Sequence, residues 1–220
     1  MTIRAKLVTA IVVAVAGLAL TAGVGIWGMN RLGTKFDDVR DAGEAQALAL
    51  ELKYDITDFN GWQTAYGYDN GASRPIFLRS VAQFREDLAT ARKELTSPAE
   101  QQLLDDIESA FNRFMALDTV AYRALQNGRS AQVKRLFLGP EIVNFHRAAA
   151  GAEKLATLES GRATDAENAF TDGRTDALRL LILSSIIAAI LVALLLVTAF
   201  DLARAAERTL AAEPPPDAPA

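Results

Sequence analysis

The sequence contains no cysteine, and that one absence removes disulfides, thiolate zinc centres and cysteine nucleophiles together. It contains a single histidine, His146. A helical bundle can house a di-iron centre, but such a centre draws on paired Glu-x-x-His motifs, which one histidine cannot supply. His146 and Met115 could ligate a haem in principle; an unpaired imidazole beside Phe145 reads instead as a packed or surface side chain. No cofactor and no metal is expected. H-E-x-x-H, G-x-S-x-G and the P-loop are all missing, so the chain does not read as an enzyme and no catalytic residue is assigned. A basic excess is lacking too. With a formal net charge of -4 and no Lys/Arg cluster, there is no phosphate-binding surface, which argues against nucleic acid. No stretch alternates apolar and polar residues with the period of a strand.

What the sequence does have is two long apolar runs. Leu180 to Phe200 carries no charge and is bracketed by Arg179 and Asp201. At about 1.5 Å per residue in a helix, such a run reaches across the ~30 Å hydrocarbon core of a bilayer. Leu7 to Met29 is the second run. Arg4 and Lys6 precede it and Leu20-Thr21-Ala22 resembles a cleavage site, but the apolar core of a signal peptide ends after about 7 to 15 residues. This run continues through Val24, Ile26 and Trp27 to Arg31, so it reads as an uncleaved span. Arg4 and Lys6 at one end, with Arg204 and Arg208 at the other, place both termini in the cytoplasm by the positive-inside rule, with Trp27 anchored at the outer interface. The expected order is a cytoplasmic amino terminus at 1–6, a first span at 7–29 and an extracytoplasmic domain at 30–179. A second span at 180–200 and a short Pro-rich cytoplasmic tail at 201–220 complete it. Gly23 to Gly28 fits G-x-G-x-x-G but follows no strand, so it carries no dinucleotide reading. Gly17, Thr21 and Gly25 in the first span, and Ser185, Ala189 and Ala193 in the second, recur every four residues, the spacing that lets helices approach closely in lipid.

Between the spans the apolar residues fall into helical spacing. A first helix from about Lys35 to Tyr68 has core positions Ala45, Leu48, Leu52, Asp55, Phe59, Trp62 and Tyr66, alternating three and four with one polar intruder. Asp69-Asn70-Gly71 ends it, and Pro75 opens a second helix with Phe77, Val81, Phe84, Leu88, Ala91 and Leu95. Thr96-Ser97-Pro98 stops the second and caps a third, whose core positions are Leu103, Ile107, Ala110, Phe114, Leu117, Ala121 and Ala124. After Asn127-Gly128, Ser130 is the expected cap of a fourth helix, interrupted at Leu138-Gly139-Pro140. That helix resumes through Ile142, Phe145, Ala149, Ala152, Ala156, Ala163, Ala166 and Phe170. The fold class expected is all-α: a membrane-anchored, antiparallel four-helix bundle flanked by two transmembrane helices.

Asp55 at a core position needs a partner, because an unpaired buried carboxylate is costly. Antiparallel register sets Arg92 opposite Asp55 and Arg85 opposite Asp58 and Asn60, so these are expected as structural ion pairs. At the outer end, Trp62, Tyr66, Arg74 and Arg79 of the first hairpin meet the height of Tyr122, Arg123 and Arg129 of the second. Arginine with tyrosine suits a carboxylate-bearing ligand, since a guanidinium fork binds it in two places. A solvated rim is the plainer reading of the same residues. Gly139-Pro140 breaks the fourth helix near that end, as a simple break or as a pocket wall.

In this order of span, bundle and span, the chain resembles the amino-terminal sensor half of bacterial methyl-accepting chemotaxis proteins with a four-helix-bundle ligand-binding domain. The resemblance covers about residues 1 to 205. It rests on the basic amino terminus running into a span, on DFNGWQTAYGYDNG ending the first helix and on NGRSAQV starting the last. It implies a chemosensory receptor input module in a bacterial inner membrane. It further implies a homodimer, a small extracellular ligand bound across the outer dimer interface, and a small displacement of the last helix as the signal. After Phe200 the chain departs from the family, because DLARAAERTLAAEPPPDAPA is too short for a HAMP linker and signalling coiled coil. Output is therefore expected through other receptors or a separate signalling partner, or else the chain is a truncated relic of a receptor. The alternative is a non-sensing membrane protein whose bundle binds another receptor or membrane partner.

Overall fold

The computed structural model describes residues 3–211, and every secondary element among them is helical. Helix α1 is Ile3–Tyr68, α2 Arg74–Glu94, α3 Pro98–Gln126, α4 Ser130–Leu136 and α5 Ile142–Ala211. A π-helical turn, Phe137–Glu141, joins α4 to α5. The run Pro214-Pro215-Pro216 lies outside the described residues, as do the side chains of Arg4, Lys6 and Arg208. The described chain divides into two units, one drawn from Met1–Phe36 with Ala169–Ala220 and the other Asp37–Asn168.

The helices of the second unit end where local chemistry ends them. After α1, Asn70 and Gly71 take positive φ of 57° and 93°, a conformation that glycine and asparagine adopt most readily. The Gly71 N–H closes back on the Tyr66 carbonyl at 2.8 Å, satisfying a helix-terminal acceptor. Pro75 sits in the first turn of α2, where its missing N–H has no helical partner to lose. Asp69 accepts from the Ser73 backbone N–H at 3.0 Å. The Ser73 hydroxyl, with backbone donors beside it, holds the Asp69 carboxyl below the ordinary range. Ser97 and Glu100 form a reciprocal capping box at the start of α3, the arrangement that satisfies two orphan donors. At α4 the cap is Arg129 rather than Ser130, whose side chain makes no capping bond. Gly128, with φ of 70°, turns the chain one residue earlier than the serine suggests. Gly139 then leaves helical dihedrals, at φ -115° and ψ -106°, and Pro140 has no N–H to donate, so the expected break is a π-helical turn. The Asn144 Nδ2 donates to the Pro140 carbonyl at 2.7 Å and steadies that turn.

Four helical segments feed one core in the second unit: Leu52, Ile56, Phe59 and Tyr66 of α1, Phe77 and Phe84 of α2, Ile107, Phe111 and Phe114 of α3, and Ala148, Ala152 and Leu155 of α5. Phe84 and Phe111 have ring centroids 4.6 Å apart, and Phe59 and Phe114 5.2 Å, inside the range where aromatic pairs attract beyond their buried area. α5 contributes small residues and so lies close. A Cβ on Gly151 would stand 2.7 Å from Ile107 Cγ1. The burial differs from the heptad reading by one position in places: Gln63 is buried where Trp62 is only half-buried, Asp118 where Leu117 is half-buried, and Ala148 where Ala149 is half-buried.

In the first unit the apolar stretches of α1 and α5 lie side by side. Gly17 is buried, with space for a Cβ only 3.3 Å from Leu191 Cδ1, and Gly28 faces Ala177. The Thr21 hydroxyl donates to the Gly17 carbonyl at 3.0 Å. The small-residue face of the apolar stretch of α1 holds as expected, with Gly23 to Gly28 inside a continuous helix. On the apolar stretch of α5 it is displaced by one residue: Ser184 is buried, while Ser185, Ala189 and Ala193 are exposed. Elsewhere large apolar side chains, Val12, Leu18, Ile182 and Ile190 among them, are exposed. Both helices are long and apolar enough to cross a membrane by length and composition.

Candidate functional site

The second unit buries a polar network in its core. α1 delivers Gln63 and Tyr66, three residues apart and so on one face. α2 delivers Arg74, its first residue, α3 delivers Asp118 and Tyr122, and the π-helical turn delivers Glu141. Asp118 is the hub, fully buried. Arg74 Nη1 donates to its Oδ1 at 2.7 Å, and Nη2 stands 2.7 Å from Oδ2 as an ion-pair contact that lacks the alignment of a hydrogen bond. The Tyr66 hydroxyl also donates to Oδ1. The Gln63 amide donates to Glu141 Oε2 and reaches Asp118 Oδ1 at 3.4 Å. The guanidinium is boxed by aromatic faces, its Cζ lying 4.8 Å from the Tyr66 ring centroid, 4.7 Å from Phe77 and 4.4 Å from Tyr122, all within cation–π range.

One cation here faces two buried carboxyl groups. Burial, and then the charge of Asp118, push the Glu141 carboxyl up to about 8, against the Gln63 hydrogen bond and the Arg74 charge. Glu141 is therefore protonated at neutral pH. Its Oε1 makes no hydrogen bond among the described residues, and neither does Asn144 Oδ1 one turn on. The Tyr66 phenol is pushed up, first by burial and then by Asp118, and stays a donor. Burial works to lower the Arg74 guanidinium, but Asp118 outweighs it and the group stays charged.

Beside the network is a cleft of about 420 Å³ between α1, α4 and the π-helical turn, lined by Asn60, Gln63, Thr64, Lys134, Phe137 and Leu138 among others. Gly67 makes this wall possible: a Cβ there would overlap the Phe137 ring. A groove of about 530 Å³ along α3 is larger, but a single helix borders it, so it encloses nothing. Among the described residues no group of three metal-ligating side chains gathers.

No protein-family model, no curated protein and no solved structure matches the chain. The site is therefore read from its own geometry.

Of the residues expected at a ligand site, Tyr66, Arg74 and Tyr122 come together. Trp62 does not join them; its Nε1 donates to Asp58 Oδ1 at 3.1 Å on the same helix. Arg79, Arg123 and Arg129 are exposed. The expected ion pairs are replaced by others. Arg92 turns to α3, 2.7 Å from Asp105 and 2.6 Å from Glu108, and Arg85 lies over the Phe111 ring at 5.4 Å. Both follow a core residue, Ala91 or Phe84, by one position, and the ~100° step of a helix carries them to the α3 side of α2. Asp55 is left with Asp87 instead. Burial first, and then sharing a hydrogen bond with Asp87, push its carboxyl up to about 7. Sequence reasoning missed Gln63, Asp118 and Glu141, and also Glu100 and Glu159, buried carboxyls that both pair with Arg162.

Proposed function

We propose that this chain is the input module of a transmembrane chemosensory receptor. In this reading the second unit is an antiparallel four-helix bundle outside a bacterial inner membrane, the two apolar helices are its spans and both termini are cytoplasmic. The bundle binds a small extracellular ligand, works as a homodimer, and passes a displacement of its last helix to a cytoplasmic signalling partner. The observation that carries the reading is the network of Gln63, Tyr66, Arg74, Asp118 and Glu141 packed behind an open cleft. Stability alone is a weak account of such groups, because apolar side chains of equal volume are often as stable or more so. The exposed apolar faces of α1 and α5 support the membrane assignment, since soluble proteins rarely leave large contiguous apolar surfaces uncovered.

The test is a thermal-shift screen of the full chain in lipid nanodiscs against amino acids, organic acids and amines. A compound that binds only the folded state raises the melting temperature, by an amount that grows with its concentration. The expected result is a saturable shift from at least one compound class, reduced in Gln63→Met. A screen that leaves the melting temperature unmoved throughout contradicts the proposal.

A further inference from the structure

The cleft carries a chemical preference, and the inference drawn from it rests on the receptor reading above. Its lining holds one charged side chain, Lys134, and no carboxylate. Neutral hydrogen-bonding groups, Asn60, Gln63 and Thr64, stand on the α1 side, and Phe137 and Leu138 form an apolar wall opposite. A cationic ligand would meet an ammonium group and nothing to neutralise it. A wholly apolar one would strip water from Asn60, Thr64, Asn70 and Ser130 without replacing their hydrogen bonds, which is unfavourable. The volume of about 420 Å³ lies in the usual range for small-molecule sites. From this lining we infer that the cleft takes a small amphipathic carboxylate, its anionic end held by Lys134 and the Asn60 amide and its apolar body laid on Phe137 and Leu138.

The network behind the wall gives this binding a second signature. Gln63 is itself buried, at 3% exposure, and connects the cleft to Glu141 through a single hydrogen bond. Facing Glu141 are Gln63 and Tyr66 of α1, Arg74 of α2, Asp118 of α3 and, one turn along its own strand of chain, Asn144 of α5. Arg74 is already committed to Asp118, so a second negative charge on Glu141 has no cation to offset it. When Glu141 ionises, at about pH 8, that charge arises one hydrogen bond behind the cleft wall at Gln63 and repels a carboxylate bound in the cleft. Below that pH the wall is neutral and the anion stays.

The test uses 4-fluorobenzoate, 4-fluorobenzamide and 4-fluorobenzylamine with the full chain in neutral-lipid nanodiscs, followed by 19F line broadening against empty nanodiscs. The benzoate is expected to broaden and to be displaced by unlabelled benzoate, while the amide and the amine stay sharp. Lys134→Gln, an exposed substitution, is expected to weaken benzoate binding about tenfold, the scale of one charge-assisted contact. Binding is expected to fall as pH rises through about 8, and Glu141→Gln to flatten that profile. Preference for the amine, or benzoate binding indifferent to Lys134, overturns the inference. So does an unbroadened benzoate signal. If that occurs while a non-carboxylate shifts the melting temperature in the broader screen, the receptor reading survives and the ligand class alone is wrong.

Discussion

Replacing Arg74 by methionine removes the cation from a carboxylate that has no access to water. Asp118 is 0% exposed and the Arg74 side chain 12%, so solvent screening does little to soften the loss. The substitution keeps most of the apolar stem and with it the packing against Tyr66, Phe77 and Tyr122, which isolates the charge. What remains around Asp118 is the Tyr66 hydroxyl and the Gln63 amide, the latter at 3.4 Å. Two neutral donors do not replace the charge of a guanidinium. Breaking a buried pair by removing one partner costs about 3–5 kcal/mol. For a domain of this size that corresponds to a melting temperature lower by roughly 10 °C or more. The double variant Arg74→Met/Asp118→Leu takes away the stranded charge and recovers much of the loss. It still leaves the Tyr66 hydroxyl without its acceptor, at about 1–3 kcal/mol, while Gln63 keeps Glu141, so it is expected between the single variant and the wild type. The assay is thermal melting of the full chain in nanodiscs, followed by near-ultraviolet circular dichroism, where Tyr66 and Tyr122 report directly. A single variant that loses less than about 1 kcal/mol, or a double variant less stable than the single, refutes the buried pair as drawn.

Glu141 and Asp55 are held at about 8 and about 7, above their unfolded values, so the folded state keeps protons that the unfolded state has released. Stability therefore falls as pH rises from the ordinary carboxylate range to about 8 and levels off beyond, by at most about 1.4 kcal/mol per pH unit for each group. Denaturation curves of Glu141→Gln and Asp55→Asn should be flatter over that window, more stable than wild type at pH 8 and without that advantage at pH 4. Gly151→Ala gains helix propensity of about 1 kcal/mol but drives a Cβ to 2.7 Å from Ile107 Cγ1. Ile107 is fully buried, so a net loss of about 1 kcal/mol or more is expected from overpacking, read as a lower melting temperature. Alkaline phosphatase fused after Gly128 should be active and after Asp201 inactive; the reverse would contradict the proposed topology.

Much of the helical plan was legible because it rests on local chemistry. Asp69-Asn70-Gly71, Ser97-Pro98 and Gly139-Pro140 mark the ends of helices whatever the tertiary structure does. The apolar stripes of α2 and α3 gave most of the core for the same reason. The network was half legible. Tyr66, Arg74 and Tyr122 stand near the chain's turns, and their types drew attention. Gln63 and Asp118 did not, although each completes an alternation of three and four: Ile56, Phe59, Gln63, Tyr66 on α1, and Phe111, Phe114, Asp118, Ala121 on α3. A heptad reading that follows apolar residues steps onto Trp62 and Leu117 beside them. Glu141 carried no periodic signal, because the π-helical turn shifts the face on which every residue after it falls. The pairing of Asp55 with Arg92 failed on height and on rotation: Phe59 meets Phe84 and Asp55 meets Asp87, about a turn short of Arg92, and Arg92 leaves α2 toward α3.

The receptor reading itself is tested most directly by a chimera. Residues 1–204 joined to a HAMP linker and chemotaxis signalling domain, in several consecutive registers, would be expressed in a bacterium without its own receptors. Each would be challenged with a compound shown to raise the melting temperature of the full chain. The expected result is a dose-dependent change in swimming bias in at least one register, lost in Gln63→Met. Chimeras that reach the membrane and bind the compound yet leave swimming unchanged in every register would contradict it.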